Sequence, residues 1–133
     1  MKNYSHRMSV HRKFASTVFF LCVSVLRAEA HHSYGAFDTS REQQVRGTVL
    51  DFDWTGPHTT TTVEVGSQGE AVIWQFEGMS PDYLGRRGWN RQTLVPGDAV
   101  TIDYYPRKDG KSGGLLIRLT QADGTVRVMI VVE

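Results

Sequence analysis

One helix start stands alone among short alternating segments, and that order restricts the fold of this chain more than any other feature. Ser80-Pro81-Asp82 puts an N-cap serine before a proline, whose fixed φ and missing N–H suit the first helical position. Tyr83, Leu84 and Arg87 then supply one or two turns before Gly88 ends them. Three stretches with a period near two precede it. Val45, Gly47, Val49, Asp51 and Asp53 alternate with Arg46, Thr48, Leu50, Phe52 and Trp54, which predicts a strand with Leu50, Phe52 and Trp54 on one face and the two aspartates on its solvent side. Thr55-Gly56-Pro57-His58 reads as a turn. Residues 59–65 are β-branched at six of seven positions, and Gly66-Ser67-Gln68-Gly69 turns the chain into a third strand over residues 71–77, where Trp74 and Phe76 share a face opposite Ile73 and Gln75.

After the helix, Leu94-Val95-Pro96-Gly97-Asp98 makes a tight turn into a strand over residues 99–105. Residues 106–114 form a polar loop, and residues 115–120 and 125–132 a final hairpin about Gln121-Ala122-Asp123-Gly124. Three strands, a short helix, two strands and one added strand is the order of a small OB-type β-barrel with its helix between strands 3 and 4. An open sandwich or roll of six short strands has the same order, because pairing is not written in sequence. Either way the chain is mainly β.

The first thirty residues read as an export segment. Lys2, Arg7, Arg12 and Lys13 precede an apolar run of 13 residues, 14–26, and Ala28 and Ala30 are the small residues of a cleavage site. The run is too short to span a bilayer comfortably, so an N-terminal anchor is the weaker reading, and no stable membrane insertion is expected after processing. Cleavage after Ala30 divides the chain into a leader (1–30), an arm (31–43) and a β-barrel-like domain (44–133). The mature part keeps ten basic against thirteen acidic residues, a net charge of −3 where the whole chain carries +1. No basic surplus is left to neutralise phosphates, and nucleic acid is not an expected partner. The single cysteine, Cys22, leaves with the leader, so the core alone must hold the domain.

Cleavage also exposes His31 as a new N-terminal residue, followed by His32, and His58 is the third histidine of the mature chain. An α-amine and the imidazole of the same residue chelate one ion together, and a second ring completes a three-nitrogen set that suits Cu(II). This is similar to the histidine brace of copper oxygenases and some periplasmic copper carriers, with His31 giving amine and ring and His58 or His32 the other ring. The plain alternative is a solvated arm and a turn histidine. Zinc would need further ligands from Asp38, Asp51 or Asp53. A second cluster, Arg86, Arg87 and Trp89, is a candidate anion or ligand contact, since guanidinium groups grip carboxylates and phosphates. Packing of arginine on tryptophan, or pairing with Glu77 and Asp82, explains the same residues. No serine sits in a nucleophile elbow and no Gly-rich phosphate loop occurs, so no standard hydrolase or nucleotide-dependent enzyme is expected.

Taken in order, His31-His32-Ser33, Gly47-Thr48-Val49, Trp54-Thr55-Gly56-Pro57-His58, Glu77-Gly78-Met79-Ser80-Pro81, Arg86-Arg87-Gly88-Trp89 and Pro96-Gly97-Asp98 resemble DUF6152, a family of small exported bacterial proteins of unknown function. The resemblance covers roughly the whole mature chain. It implies an exported domain with a small β-barrel-like core, supplies no activity, and draws attention to His31, His32, Pro57, His58, Arg87 and Trp89. Gly56 departs from the asparagine common before Pro-His, and residues 59–62 replace a more apolar strand start. The functions in competition are an exported, periplasmic binding module holding copper or another divalent ion, and a metal-independent envelope interaction domain, which an exposed aromatic patch of Tyr104, Tyr105 and Trp89 would favour. Copper-dependent redox catalysis is a third.

Overall fold

Six strands and one short helix form from the alternating stretches: β1 (Gln43–Asp53), β2 (Thr60–Val65), β3 (Val72–Glu77), α1 (Pro81–Gly85), β4 (Ala99–Pro106), β5 (Gly113–Gln121) and β6 (Val126–Val128). The chain is described by a computed structural model over residues 34–66 and 69–130. The export segment, His31 and His32 lie outside the described residues.

β1 pairs antiparallel with β2 and β4, β2 with β3, and β4 with β5. A parallel pairing of β3 with β5, Gln75 to Gly113 through Glu77 to Leu115, completes the ring. The result is a closed five-stranded barrel of OB-like topology, with β6 added. β5 makes this possible by using one edge twice: its first residues meet β3, and residues 118–120 meet β6. Between them the Ile117 carbonyl accepts from the N–H groups of both Met129 and Ile130. Close pairing on both sides of β5, with β3 at Gly113 and with β4 at Gly114, also explains these two glycines, which the sequence alone assigns to a loop. A Cβ on Gly113, at φ +122°, would strike the Gln75 carbonyl, and one on Gly114 the Tyr105 carbonyl, so only glycine lets these backbones approach.

The predicted face of β1 needs a correction. Val49 pairs with Val63 and Asp51 with Thr62, so β1 carries one extra residue opposite β2, a β-bulge at Leu50. Leu50 is turned outward and is 40% exposed, while Val49 and Phe52 both enter the core. A strict period of two cannot survive an inserted residue. Asp51 and Asp53 do face solvent. A second irregularity makes Ile117 the extra residue of β5, between Asp103 paired with Arg118 and Tyr104 paired with Leu116.

Phe76, Val63, Ile102, Leu116 and Leu119 fill the barrel, and Leu84, Trp89 and Leu94 cover the core from the β3–β4 connection. Ser80 caps α1 as its spacing predicts, accepting from the Tyr83 N–H at 3.3 Å. Asp103, the one buried carboxylate among the described residues, accepts from Gln44 at 2.7 Å and from Arg118 at 2.8 Å, charge-assisted bonds that tie β1, β4 and β5 together.

Candidate functional site

His58 closes the loop between β1 and β2, which turns through a cis Gly56–Pro57 peptide. Its Nδ1 lies 2.6 Å from Oε1 of Glu77 at the end of β3. The approach lacks the alignment of a formal hydrogen bond, yet Nδ1 is fully enclosed and this carboxylate is its near neighbour. Pairing of β2 with β3 brings the two residues together. Thr60 is the partner of Glu77, Gly78 N–H donates to the Thr59 carbonyl at 2.8 Å, and Thr59 donates from N–H and hydroxyl to the Met79 carbonyl. A Cβ at Gly78 would strike Thr59 Oγ1, so glycine is required for this close crossing.

The arm reaches the same place. Phe37 is buried and bridges to Arg107, Asp38 N–H donates to the Pro106 carbonyl, and Lys108 donates from N–H to Ala36 and from Nζ to Gly35. Phe37 thus anchors the arm to the end of β4. Tyr34, 46% exposed, donates its hydroxyl to Met79 Sδ at 3.8 Å. Its phenol is held above the ordinary value by burial first, and then by the nearby Tyr83, Glu77 and Tyr105. Tyr34, Met79, Glu77 and His58 therefore form one neighbourhood, three residues downstream of His31. Among the described residues, no three His, Cys, Asp or Glu side chains converge in a way that could hold a metal ion. A metal set here would need ligands from the start of the arm.

Arg86, Arg87 and Trp89 separate. Arg86 is the exposed C-cap of α1. The Arg87 guanidinium stacks on Tyr83, 3.6 Å from the ring centre, and donates to the Tyr83 carbonyl. Trp89 is 4% exposed, packs against Phe52 and is covered by Arg127, whose Nε donates to Gln121 at 2.9 Å. Arg87, Trp89 and residues 126–128 line an open hollow of about 210 Å³. Tyr104 and Tyr105 are buried with Trp89, so the three make no exposed aromatic patch.

The sequence suggests Glu77 as a partner for arginine and, with Met79, as part of a motif of the family resemblance, but gives neither a place beside His58. Counting back along the β2–β3 hairpin is the available clue, since it brings the start of β2 opposite residues 77–79.

The model of DUF6152, described as a family of unknown function, matches residues 19–118, and the chain belongs to that family. No curated protein matches it. Among solved structures, a crystal structure of TiaS in complex with tRNA and ATP is similar at 20% identity and a TM-score of 0.45, over 64% of this chain and 19% of that one. The chain thus spans about a fifth of that protein's length.

Proposed function

We propose that this member of DUF6152 is an exported, periplasmic binding module whose mature N-terminus, beginning at His31, holds copper or another divalent ion together with the His58 ring. One observation carries the reading: the Tyr34 hydroxyl meets Met79 Sδ, and the Met79 carbonyl holds the residue next to His58. Tyr34 follows His31 by three positions, a reach of about 10 Å at full extension. The α-amine and ring of His31 can therefore approach the His58 ring, with His32 as the alternative donor. Three nitrogens in this arrangement suit Cu(II). The Ala28-Glu29-Ala30 pattern supports release of His31 as the terminal residue.

Export of the full chain from a bacterial host, mass spectrometry of the product and calorimetric titration with Cu(II) test the proposal. A terminus at His31 and one bound ion are expected, with affinity lowered at least about ten-fold in His31→Ala and in His58→Ala, as loss of a ligand should do no less than loss of an outer partner. Unchanged affinity in both variants overturns it.

A metal-independent interaction domain is the second reading, favoured by Val126 and Val128, which stand exposed on β6 beside the Arg87–Arg127 hollow.

A further inference from the structure

We propose that the free edge of β6 takes an extended acidic peptide as an added strand, with its carboxylates held by Arg87 and Arg127. This gives the interaction-domain reading above a place and a partner, and it does not depend on copper. The β5–β6 hairpin pairs Thr120 with Val126, Leu119 with Arg127 and Arg118 with Val128. On either side of these pairs, Gln121 N–H donates to the Thr125 carbonyl at 2.9 Å and Met129 N–H to the Ile117 carbonyl at 2.8 Å. An antiparallel ladder exchanges hydrogen bonds at every second pair. Thr125, Arg127 and Met129 therefore turn their backbone groups to β5, and Val126 and Val128 turn theirs to the opposite edge. Among the described residues no strand pairs with that edge. Two N–H groups and two carbonyls in strand conformation are the template that strand addition uses.

The same edge opens onto the hollow lined by Arg87, Trp89 and residues 126–128. Side chains alternate along β6, so Val126 and Val128, 55% and 44% exposed, stand on one face and Arg127 on the other, over Trp89. A strand laid beside β6 alternates in step with it, placing β-branched residues beside the valines and partners for Arg127 on the other face. Those partners are carboxylates. The Arg87 guanidinium lies on the Tyr83 ring and that of Arg127 over Trp89, which leaves their in-plane N–H groups largely unused. Arg87 donates to the Tyr83 carbonyl and Arg127 to Gln121, both uncharged acceptors. Among the described residues, the arginines in ion pairs are Arg41, Arg107 and Arg118, and neither Arg87 nor Arg127 reaches a carboxylate. Asp123 feels the charge of Arg127 but accepts from the Thr125 N–H at the hairpin turn.

The protein exported from the full chain and labelled with ¹⁵N gives the test, titrated with a capped eight-residue peptide of alternating threonine and glutamate. Saturable binding is expected, with the Val126 and Val128 amides shifted downfield and slowed in hydrogen exchange. A counterpart with glutamine at each glutamate should bind at least about five-fold more weakly, and Arg87→Gln combined with Arg127→Gln should erase that preference. Val128→Pro deletes an N–H that β5 does not use, so the hairpin should persist while affinity falls at least about ten-fold. The glutamate peptide N-methylated along its backbone keeps its charges but cannot pair, and should not bind; this arm leaves the protein unaltered. Equal binding of the glutamate and glutamine peptides overturns the acidic partner and leaves the interaction reading standing. Undiminished binding of the N-methylated peptide overturns strand addition and reduces the site to a carboxylate contact. No binding of any peptide overturns the proposal together with the interaction reading at this edge.

Discussion

Removing the Phe37 side chain should loosen the arm and the site together. Phe37 is 2% exposed, the one deeply buried residue in the described part of the arm, and a Phe→Ala change at such a position costs about 3–5 kcal/mol if the surroundings stay in place. The arm has an alternative, which is to leave. Its remaining ties include the Asp38–Pro106, Lys108–Ala36 and Lys108–Gly35 hydrogen bonds, each worth about 1 kcal/mol net, the weak Tyr34 contact with Met79 Sδ and the exposed Glu42–Arg118 pair. Ordering the arm opposes them at about 1–2 kcal/mol per residue. Without Phe37, docking is no longer favourable, and undocking limits the loss to the low end, about 3 kcal/mol. Urea unfolding of Phe37→Ala should show that loss, with a melting temperature lower by roughly 12–24 °C for a domain of this size. Hydrogen exchange at the Asp38 and Lys108 amides should speed up while β2 and β3 amides remain protected. If the terminus binds copper as proposed, Cu(II) affinity should fall at least about ten-fold, because the anchor that limits how far the start of the arm can stray is gone. A loss below about 1 kcal/mol would refute the packing argument, and unchanged copper affinity in a variant with an exchanging arm would refute the link between anchor and site.

Two more outcomes follow from the geometry. Gly114→Ala pushes a methyl into the Tyr105 carbonyl and the Tyr104 ring, and should cost about 2 kcal/mol or more in urea unfolding, whereas Gly35→Ala, with open space around its Cβ, should change stability by less than about 0.5 kcal/mol. Asp109 accepts two hydrogen bonds from Arg107, which lower its carboxyl from 3.8 to about 2. A depressed folded value means that its contribution to stability is present above the unfolded value and is lost as pH falls through about 2. A carboxyl ¹³C titration should find that midpoint, and Arg107→Ala should move it up toward 3.8; an unmoved midpoint would show that Arg107 is not its cause.

The strands and the helix were legible because local rules govern them. Ser80 and Pro81 mark a helix start wherever they fall, and Trp74 with Phe76 declares a buried face by alternation alone. Long-range pairing escaped those rules. Leu50 carries no mark that tells it from a core residue; only its register against Val63 and Thr62 turns it outward. Gly113 and Gly114 look like loop glycines until β3 and β4 close against β5. The aromatic residues Tyr104 and Tyr105, adjacent on a strand, are expected on opposite faces, yet both are buried, with the arm packed at the end of β4. For the candidate site, His58 was visible as a rare residue in a turn. Glu77 was not, since its meaning lies in the residue it faces.

The place of that pair within the barrel bears on how binding would work. Glu77 is the last residue of the parallel seam, opposite Leu115, and the hydrogen bonds of Thr59 hold the chain leaving β3 against the chain entering β2. Half of the proposed site is thus built into the strand ends and exists before any ion arrives. The proposal takes the other half from the terminus, and Phe37 and Tyr34 bring the described part of the arm to the same end of the barrel. Ordering on binding then falls on at most the three residues before Tyr34, about 1–2 kcal/mol each, a small opposition beside three nitrogen ligands. A site divided this way would bind only after cleavage frees the His31 amine.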